Sequence, residues 1–332
     1  MRKLIVITLL LGISCSPKKE VIRIQGSALG TTYGIVCYDC NIESSALQFA
    51  VDSIVESANN SMSTYRPNSL ISRINRGEEN VVVDDQFKKV FALAKQIHEE
   101  TDGYFDPTVG ILVNAYGFGA EEPLEVTEEL RDSLLQYVGF DKLSIKQNDV
   151  LLKANSNTQF DLNAIAKGYT LDLIASYLTQ TEGANYLIEL GGEIVAKGQN
   201  LDSMRAWTVG IDDPQRFEER VLKQKIQFSN KAMASSGNYR KFRVDEKGNK
   251  YVHTIDPFTG KAKISNVLAT SVIADDCATA DAWATSFMVM DLPKSLSILK
   301  GRSDLWAYII YSDEQGEIKE WFSPEFEALL ID

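Results

Sequence analysis

Hydrophobic and polar positions follow two different periods along this chain of 332 residues. Val21 to Gln25 and Thr31 to Tyr38 read as strands on either side of the sequence GSALG. Glu43 to Asn59 instead gathers Leu47, Val51, Ile54 and Val55 on one helical face. Asp84 to Glu100 does the same with Phe87, Val90, Phe91, Ala94 and Ile97, and Gly103 can cap its end. Thr127 to Val138 predicts another helix, with Thr127 as N-cap and Gly139 as its stop. Leu143 to Ala154 predicts a hairpin around Gln147-Asn148-Asp149. Asp161 to Leu178 is the best helix by this criterion, with Leu162, Ile165, Ala166, Tyr169 and Leu173 as its buried stripe. Strands dominate from Tyr186 to Val252, including a hairpin with Lys247-Gly248-Asn249 at its turn. A strand over Leu268 to Ala274, a helix over Cys277 to Met290, a short helix and strands over Leu305 to Tyr311 and Ile318 to Trp321 complete the order. Helices and strands mix without the strict alternation of a doubly wound sheet, so the class is α+β or an irregular α/β. The simplest organisation is one domain of two lobes, with mixed, largely antiparallel sheets and flanking helices over residues 21–332.

The first residues stand outside that domain. Met1-Arg2-Lys3 is a basic start, Leu4 to Leu11 an apolar run, and Gly12-Ile13-Ser14-Cys15 follows. Residues 1–14 read as a secretory signal peptide, too short to span a bilayer. The cysteine after the small residue is similar to a bacterial lipoprotein cleavage site. Lipidation at Cys15 is therefore expected, with residues 15–20 as a tether and the protein exported, lipid-anchored to the inner membrane and facing the periplasm. An uncleaved N-terminal anchor is the competing reading. Gly12 departs from the branched residue usual three positions before that cysteine.

Composition narrows the partners. The formal net charge is −12, and losing Arg2 and Lys3 with the leader takes it to −14. So acidic a body, with no Lys/Arg-rich run, argues against nucleic acid. An anionic ligand needs local help from a metal ion or from amides at a helix start. Cys37-Tyr-Asp-Cys40 is a CxxC inside a strand-like run. Residues three apart on a strand face opposite sides, so a disulfide there requires a turn, and incidental thiols are the expected reading. No second ligand pair sits at zinc-finger spacing.

Several stretches could carry chemistry. GGEIVAKG at Gly191 to Gly198 lacks dinucleotide spacing, and its glycine pair suggests a bulge or a close backbone approach. In DLNAIAKGYTLDLIA, Asp161 stands where an N-cap would, Lys167 follows, and Gly168 clears a face. A capped helix with a snorkelling lysine fits as well as a ligand site. In ADAWATSFMVM, Asp281 and Thr285 lie one helical turn apart among alanines, as hard oxygen donors for Mg²⁺ or as a plain side-chain contact. MSTYRPNSLISRIN and DGYFDPTVGILVNAYGFG hold Tyr65, Tyr104, Phe105, Tyr116 and Phe118, which could line a pocket for a flat ring or fill core. His253, in YVHTIDPFTGK, could be an acid or base, a metal ligand, or the last side chain before a turn.

Taken in order with GSALGTTY and ASSGNYRKF, these motifs run from Gly26 to Met290. The set resembles the FAD:protein FMN transferases, the ApbE family of exported bacterial lipoproteins. The resemblance implies an enzyme that cleaves FAD with Mg²⁺ and attaches FMN through a phosphoester to a Thr or Ser of an exported target protein. Some members instead hydrolyse FAD to FMN and AMP, and a flavin-binding lipoprotein without catalysis is a further alternative. Residue by residue, it implies FAD contacts at Leu29, Tyr65, Ala115, Tyr116, Gly117, Asp161, Lys167 and Ile255. It implies metal ligation by the Ala164 carbonyl, Asp281 and Thr285, with His253 near the transferred phosphate as general base. The chain departs from the pattern at Leu29 for methionine, Tyr116 for tryptophan and Asn238 for aspartate.

Overall fold

The computed structural model describes residues 21–214, 216, 221–238, 242–244, 250–252, 254–262 and 266–331. The leader, Cys15, the Lys247-Gly248-Asn249 turn and His253 lie outside them.

The chain opens with a hairpin of β1 (Val21–Ala28) and β2 (Thr31–Tyr38), turned by Leu29 and Gly30, both at positive φ. Helices α1 (Ser44–Met62), α2 (Leu70–Asn75), α3 (Asp85–Glu100), α4 (Gly110–Ala115) and α5 (Glu128–Leu135) follow. Then come a small hairpin of β3 (Leu143–Ile145) and β4 (Leu151–Lys153), helix α6 (Ala166–Gln180), and strands β5 (Asn185–Leu190), β6 (Glu193–Lys197), β7 (Trp207–Asp212), β8 (Leu222–Phe228), β9 (Lys231–Gly237), β10 (Phe242–Val244) and β11 (Lys250–Val252). Strand β12 (Val267–Ala274), helices α7 (Cys277–Val289) and α8 (Leu292–Leu299), strands β13 (Trp306–Ser312) and β14 (Ile318–Phe322), helix α9 (Pro324–Glu327) and strand β15 (Leu330–Ile331) close it.

Eight strands form one sheet in the order β1-β2-β5-β6-β9-β12-β13-β14, and β15-β8-β7 form a smaller one. Every pair of neighbouring strands is antiparallel. The large sheet is buried on both faces at its centre, which is why β12 loses alternation and reads ATSVIA. Ala234, Val272, Ala307 and Ile309 face α7 and α3 in one core. Met233, Ile273, Tyr308 and Ile310 face Trp207, Val209 and Ile226 of the small sheet on the other. Toward the β1 edge the helical side is covered by α1 and α6, through Leu47, Val51, Leu171, Ile174 and Leu178. The result is three layers, helices on sheet on sheet, in a single α+β domain.

Amphipathic helices form where their periodicity places them. All five apolar residues named for α3 are buried, and Asp84 caps it by accepting the Phe87 amide at 2.7 Å. Thr127 caps α5 as expected, but that helix ends at Leu135. Helix α6 starts at Ala166 rather than at Asp161, because Asp161 turns back on its own loop and accepts from Asn163 N at 2.7 Å. Its buried stripe is Leu171, Ile174, Ala175 and Leu178 rather than the one ending at Leu173.

Two expectations give way. Gly191 and Gly192, with φ of 63° and 106°, are not a bulge but the two-residue turn joining β5 to β6, where a Cβ at Gly191 would stand 2.6 Å from Thr31 Cγ2, so a close approach is present. Cys37 and Cys40 are paired as a disulfide. Strand β2 stops at Tyr38 and Asp39 takes a left-handed φ of 51°, which supplies the turn that strand geometry alone denies.

Candidate active site

The site grows from the meeting of α6 and α7. Every residue of α7 is buried except Thr279 and Thr285, so Thr285 is where its second half reaches open space. One turn back, the Asp281 carboxylate accepts the Gly168 amide through Oδ2 at 3.0 Å. A continued α-helix would aim that amide at the Ala164 carbonyl four residues earlier; donating to Asp281 releases the carbonyl from the helix. Such proximity requires glycine, since a Cβ at position 168 would stand 2.3 Å from the Cys277 carbonyl oxygen and 2.9 Å from Ala278 Cα. The start of α7 is tied to α6 a second way. Asp172 accepts from Cys277 N at 2.8 Å and from Ala278 N at 2.9 Å, a carboxylate bridging two amides of a helix N-terminus. Burial nonetheless pushes the Asp172 carboxyl up to about 7, with Asp276 and Asp281 adding to the rise and the two amides opposing it.

Lys167, the first residue of this site to face strands, pairs with Glu193 Oε2 at 2.6 Å. Glu193 is 1% exposed. Burial raises its carboxyl, Lys167 pulls it back, and the Asp281 charge raises it further. Asp281 is likewise raised by burial and lowered by Lys167 and the Gly168 amide. Two buried carboxylates thus share one ammonium, and burial raises both toward their neutral forms. Glu193 was not among the expected site residues. Its signal was in the sequence: opposite Leu190 across a two-residue turn, it occupies a core-facing register where strand alternation asks for an apolar side chain.

A second group lies around α4. Gly117, at φ 74°, ends that helix: its amide bonds Asn114 O at 2.8 Å and the Phe118 amide bonds Val113 O at 2.9 Å, the paired bonds of a Schellman cap. The cap fixes Ala115 and Tyr116 and turns the chain toward Tyr65, whose hydroxyl donates to Phe118 O at 3.3 Å. Burial and the nearby Asp161 charge both raise the Tyr65 phenol. Asp161 lies against Gly110 at the other end of α4 and is held by its amide on Pro107 O at 2.8 Å. Ile255 is buried in one cluster with Leu112 and Val138, and Tyr116 packs on that cluster. The turn after Ile255 is closed by Asp256, which accepts from Phe258 N and Thr259 N at 2.9 and 3.1 Å.

Leu29 stands apart from these contacts. It packs at the rim of the core that holds Leu171 and Cys277, with a left-handed φ of 51° unusual for a bulky residue. Thr285 Oγ1 lies 3.2 Å from Ser236 Oγ, which joins α7 to β9. His253 falls outside the described residues, but Thr254 beside it donates to Asn238 Oδ1 at 3.2 Å.

Asp281, Thr285 and the Ala164 carbonyl are hard oxygen donors of the kind Mg²⁺ takes alongside substrate phosphates. Among the described residues no group of three or more His, Cys, Asp and Glu side chains is placed to hold a metal; a set of one carboxylate, one hydroxyl and one carbonyl is not such a group.

The model of the ApbE family matches residues 29–309. This chain belongs to the ApbE family. A FAD:protein FMN transferase of Haemophilus influenzae is 33% identical over 314 residues, 91% of this chain and 90% of that protein. One from Vibrio cholerae is 34% identical over 329 residues, 97% of each. The structure of the flavin transferase ApbE from Vibrio cholerae superposes with a TM-score of 0.83 at 33% identity, covering 94% of this chain and 100% of that one. The Thermotoga maritima ApbE protein gives 0.83 at 27% identity, again covering 94% and 100%. In this ApbE protein, Asn238 does what the aspartate usual there could not: its Nδ2 donates to Val267 O at 3.4 Å while Oδ1 accepts from Thr254, clipping the 254 loop to β12.

Proposed function

We propose that this protein is an Mg²⁺-dependent flavin transferase that moves FMN from FAD to a Thr or Ser hydroxyl of an exported target protein. The observation that carries the reading is the convergence of Lys167, Glu193, Asp281 and Thr285 where α6 meets α7, in a chain sharing a third of its sequence with FAD:protein FMN transferases. Tyr65, Tyr116 and Ile255 would hold the flavin nucleotide, with Ala115, Gly117 and Asp161 shaping the same wall and Leu29 its far rim. Lys167 would meet the phosphates. Magnesium, held by Asp281, Thr285 and the Ala164 carbonyl, would offset pyrophosphate charge and stabilise the charge that develops on it. The target hydroxyl oxygen bonds to the FMN phosphorus, the bridging P–O bond breaks, AMP departs with the bridging oxygen, and the hydroxyl proton passes to His253. Residues 1–14 would direct export and Cys15 would carry the lipid that tethers the enzyme to the periplasmic face of the inner membrane.

Incubation with FAD, Mg²⁺ and a candidate exported protein should give a fluorescent target band that survives denaturing electrophoresis. Free FMN and AMP with no labelled protein would indicate a hydrolase, and unchanged FAD a binding protein. His253→Ala should abolish labelling while FAD still binds; normal labelling by that variant would remove His253 from the mechanism.

A further inference from the structure

Beyond Tyr65, the motif MSTYRPNSLISRIN holds Ser69, Ser72 and Asn75, whose side chains all bond to backbone. Ser69 Oγ donates to Ser63 O at 2.7 Å while accepting the Ser72 amide at 3.1 Å as the N-cap of α2. Ser72 Oγ lies 3.3 and 3.4 Å from the carbonyl oxygens of Ser63 and Thr64. These bonds fix the two residues that lead into Tyr65. At the other end of α2, Asn75 Nδ2 donates to Phe160 O and Asn75 Oδ1 accepts from Phe160 N, both at 2.8 Å. A side-chain amide thus exchanges both bonds with one residue, as a neighbouring strand would, and fixes the residue that leads into Asp161. The helix between them is itself anchored, because Ile71 and Ile74 are buried in the same core as Phe87, Phe105 and Phe160.

We infer that α2 is a brace that sets the spacing of Tyr65 and Asp161, with Ser69 and Asn75 as positioning residues for FAD. The inference rests on the reading of Tyr65 and Asp161 as FAD contacts and adds what holds them apart at a fixed distance. The two residues meet again along α4. The Tyr65 hydroxyl reaches Phe118 O just past its C-terminal end, while Asp161 lies against Gly110, its first residue, where an added Cβ would stand 3.4 Å from Asp161 Cβ. Both segments held by α2 are irregular backbone. Left loose, such a wall would have to be ordered whenever FAD binds, and affinity would fall by that cost. Bonded to a buried helix, it is ordered beforehand. Asparagine suits the Phe160 end because one amide offers a donor and an acceptor together. Phe160 is fully buried, so without Asn75 its amide and carbonyl would lose partners that water does not readily replace.

The test is a double-mutant cycle on the full chain, read by titration calorimetry with FAD and Mg²⁺. Asn75→Ala should weaken FAD binding about tenfold, or ~1.4 kcal/mol. In a Tyr65→Ala enzyme, where one of the two spaced contacts is already gone, the same change should matter by less than about twofold. Asp291→Ala removes the cap that accepts the Lys294 amide at 2.8 Å on α8, an element that contributes no residue to the site. It should lower the melting temperature comparably and leave FAD affinity unchanged, which separates lost spacing from lost stability. Should Asn75→Ala not fold, the cycle is run with Asn75→Asp, which keeps the acceptor for the Phe160 amide and loses only the donor, and with Ser69→Ala at the other end. Equal weakening with and without the Tyr65 side chain, or unaltered affinity in a folded Asn75→Ala enzyme, would overturn the brace while leaving transfer intact. If Tyr65→Ala binds FAD as tightly as the parent, Tyr65 is no contact and the brace falls with it. If the unaltered enzyme binds no FAD, the flavin transferase reading itself falls, and the brace with it.

Discussion

Gly168→Ala tests the α6–α7 junction with the smallest possible perturbation. In an exposed helix, Ala for Gly gains about 1 kcal/mol of propensity. Here the added Cβ would sit 2.3 Å from the Cys277 carbonyl oxygen and 2.6 Å from its carbon, both backbone atoms of α7. Non-bonded heavy atoms settle near 3.5 Å, so the start of α7 must retreat by roughly 1 Å. No rotamer change can absorb that, because no flexible side chain is involved. Overpacking of this kind costs about 1–3 kcal/mol, and a retreat of that size also stretches the Gly168 amide to Asp281 bond, worth about 1.5–3 kcal/mol for a charged acceptor. Against the propensity gain, a net loss of about 2–4 kcal/mol is expected. At roughly 2–4 °C per kcal/mol for a domain of this size, the melting temperature should fall by about 4–16 °C. Displacing Asp281 and Thr285 by that ~1 Å should lower transfer activity by about 10², with a higher Mg²⁺ requirement. Thermal unfolding and a metal titration of the purified variant read both effects. A melting temperature equal to or above that of the parent would refute the reasoning, since it would mean α7 moves aside freely and the propensity term wins.

Three other outcomes follow from the same geometry. Asp172 has a folded-state carboxyl near 7 because it is buried, so the native state holds a proton that the unfolded chain releases near 4; its contribution is complete below about pH 4 and is lost as pH rises to about 7. Asp172→Asn should therefore remove a downward slope in stability over pH 4–7, read by urea unfolding at several pH values, and an unchanged slope would exclude Asp172 as its source. Lys167→Met leaves Glu193 buried without its partner and should cost about 3–5 kcal/mol at pH 8, less at pH 5 where the carboxyl protonates; equal losses at both values would argue against the ion pair. The Cys37–Cys40 bond closes a very short loop, so reduction should lower stability by only about 2 kcal/mol, and mass spectrometry after alkylation should show both thiols protected until a reductant is added.

What the sequence made legible was governed by local physics. The buried face of α3 and the caps at Asp84 and Thr127 depend on residues within a few positions of each other, and they formed where periodicity put them. Asp281 and Thr285 could be placed on one face of a helix for the same reason. The failures share the opposite cause. The contact of Gly168 with α7 was missed because its amide is taken by a carboxylate 113 residues away, and no window of sequence contains both partners. The disulfide was discounted because a left-handed Asp39 is an infrequent choice that propensity does not announce. Lys167 was singled out in the sequence, but its partner Glu193 was not.

Glu193 bears on how a site can be found without knowing its ligand. A lone buried carboxylate in a strand costs several kcal/mol and persists only if something offsets it. Lys167 offsets one negative charge, yet Asp281 is buried within reach of the same ammonium. Among the described residues only Lys167 is set against the two carboxylates, so the cluster is short of positive charge whenever both are ionised. Such a deficit is a poor choice for stability, and replacing the cluster with apolar residues should give a more stable domain. Its retention is accounted for if a cation completes the site in the working state, as proposed above. The same reasoning predicts that millimolar Mg²⁺ alone should raise the melting temperature, and that Asp281→Ala, which also loses the bond to the Gly168 amide, should remove the response to Mg²⁺. A metal response that survives in Asp281→Ala would place the cation elsewhere.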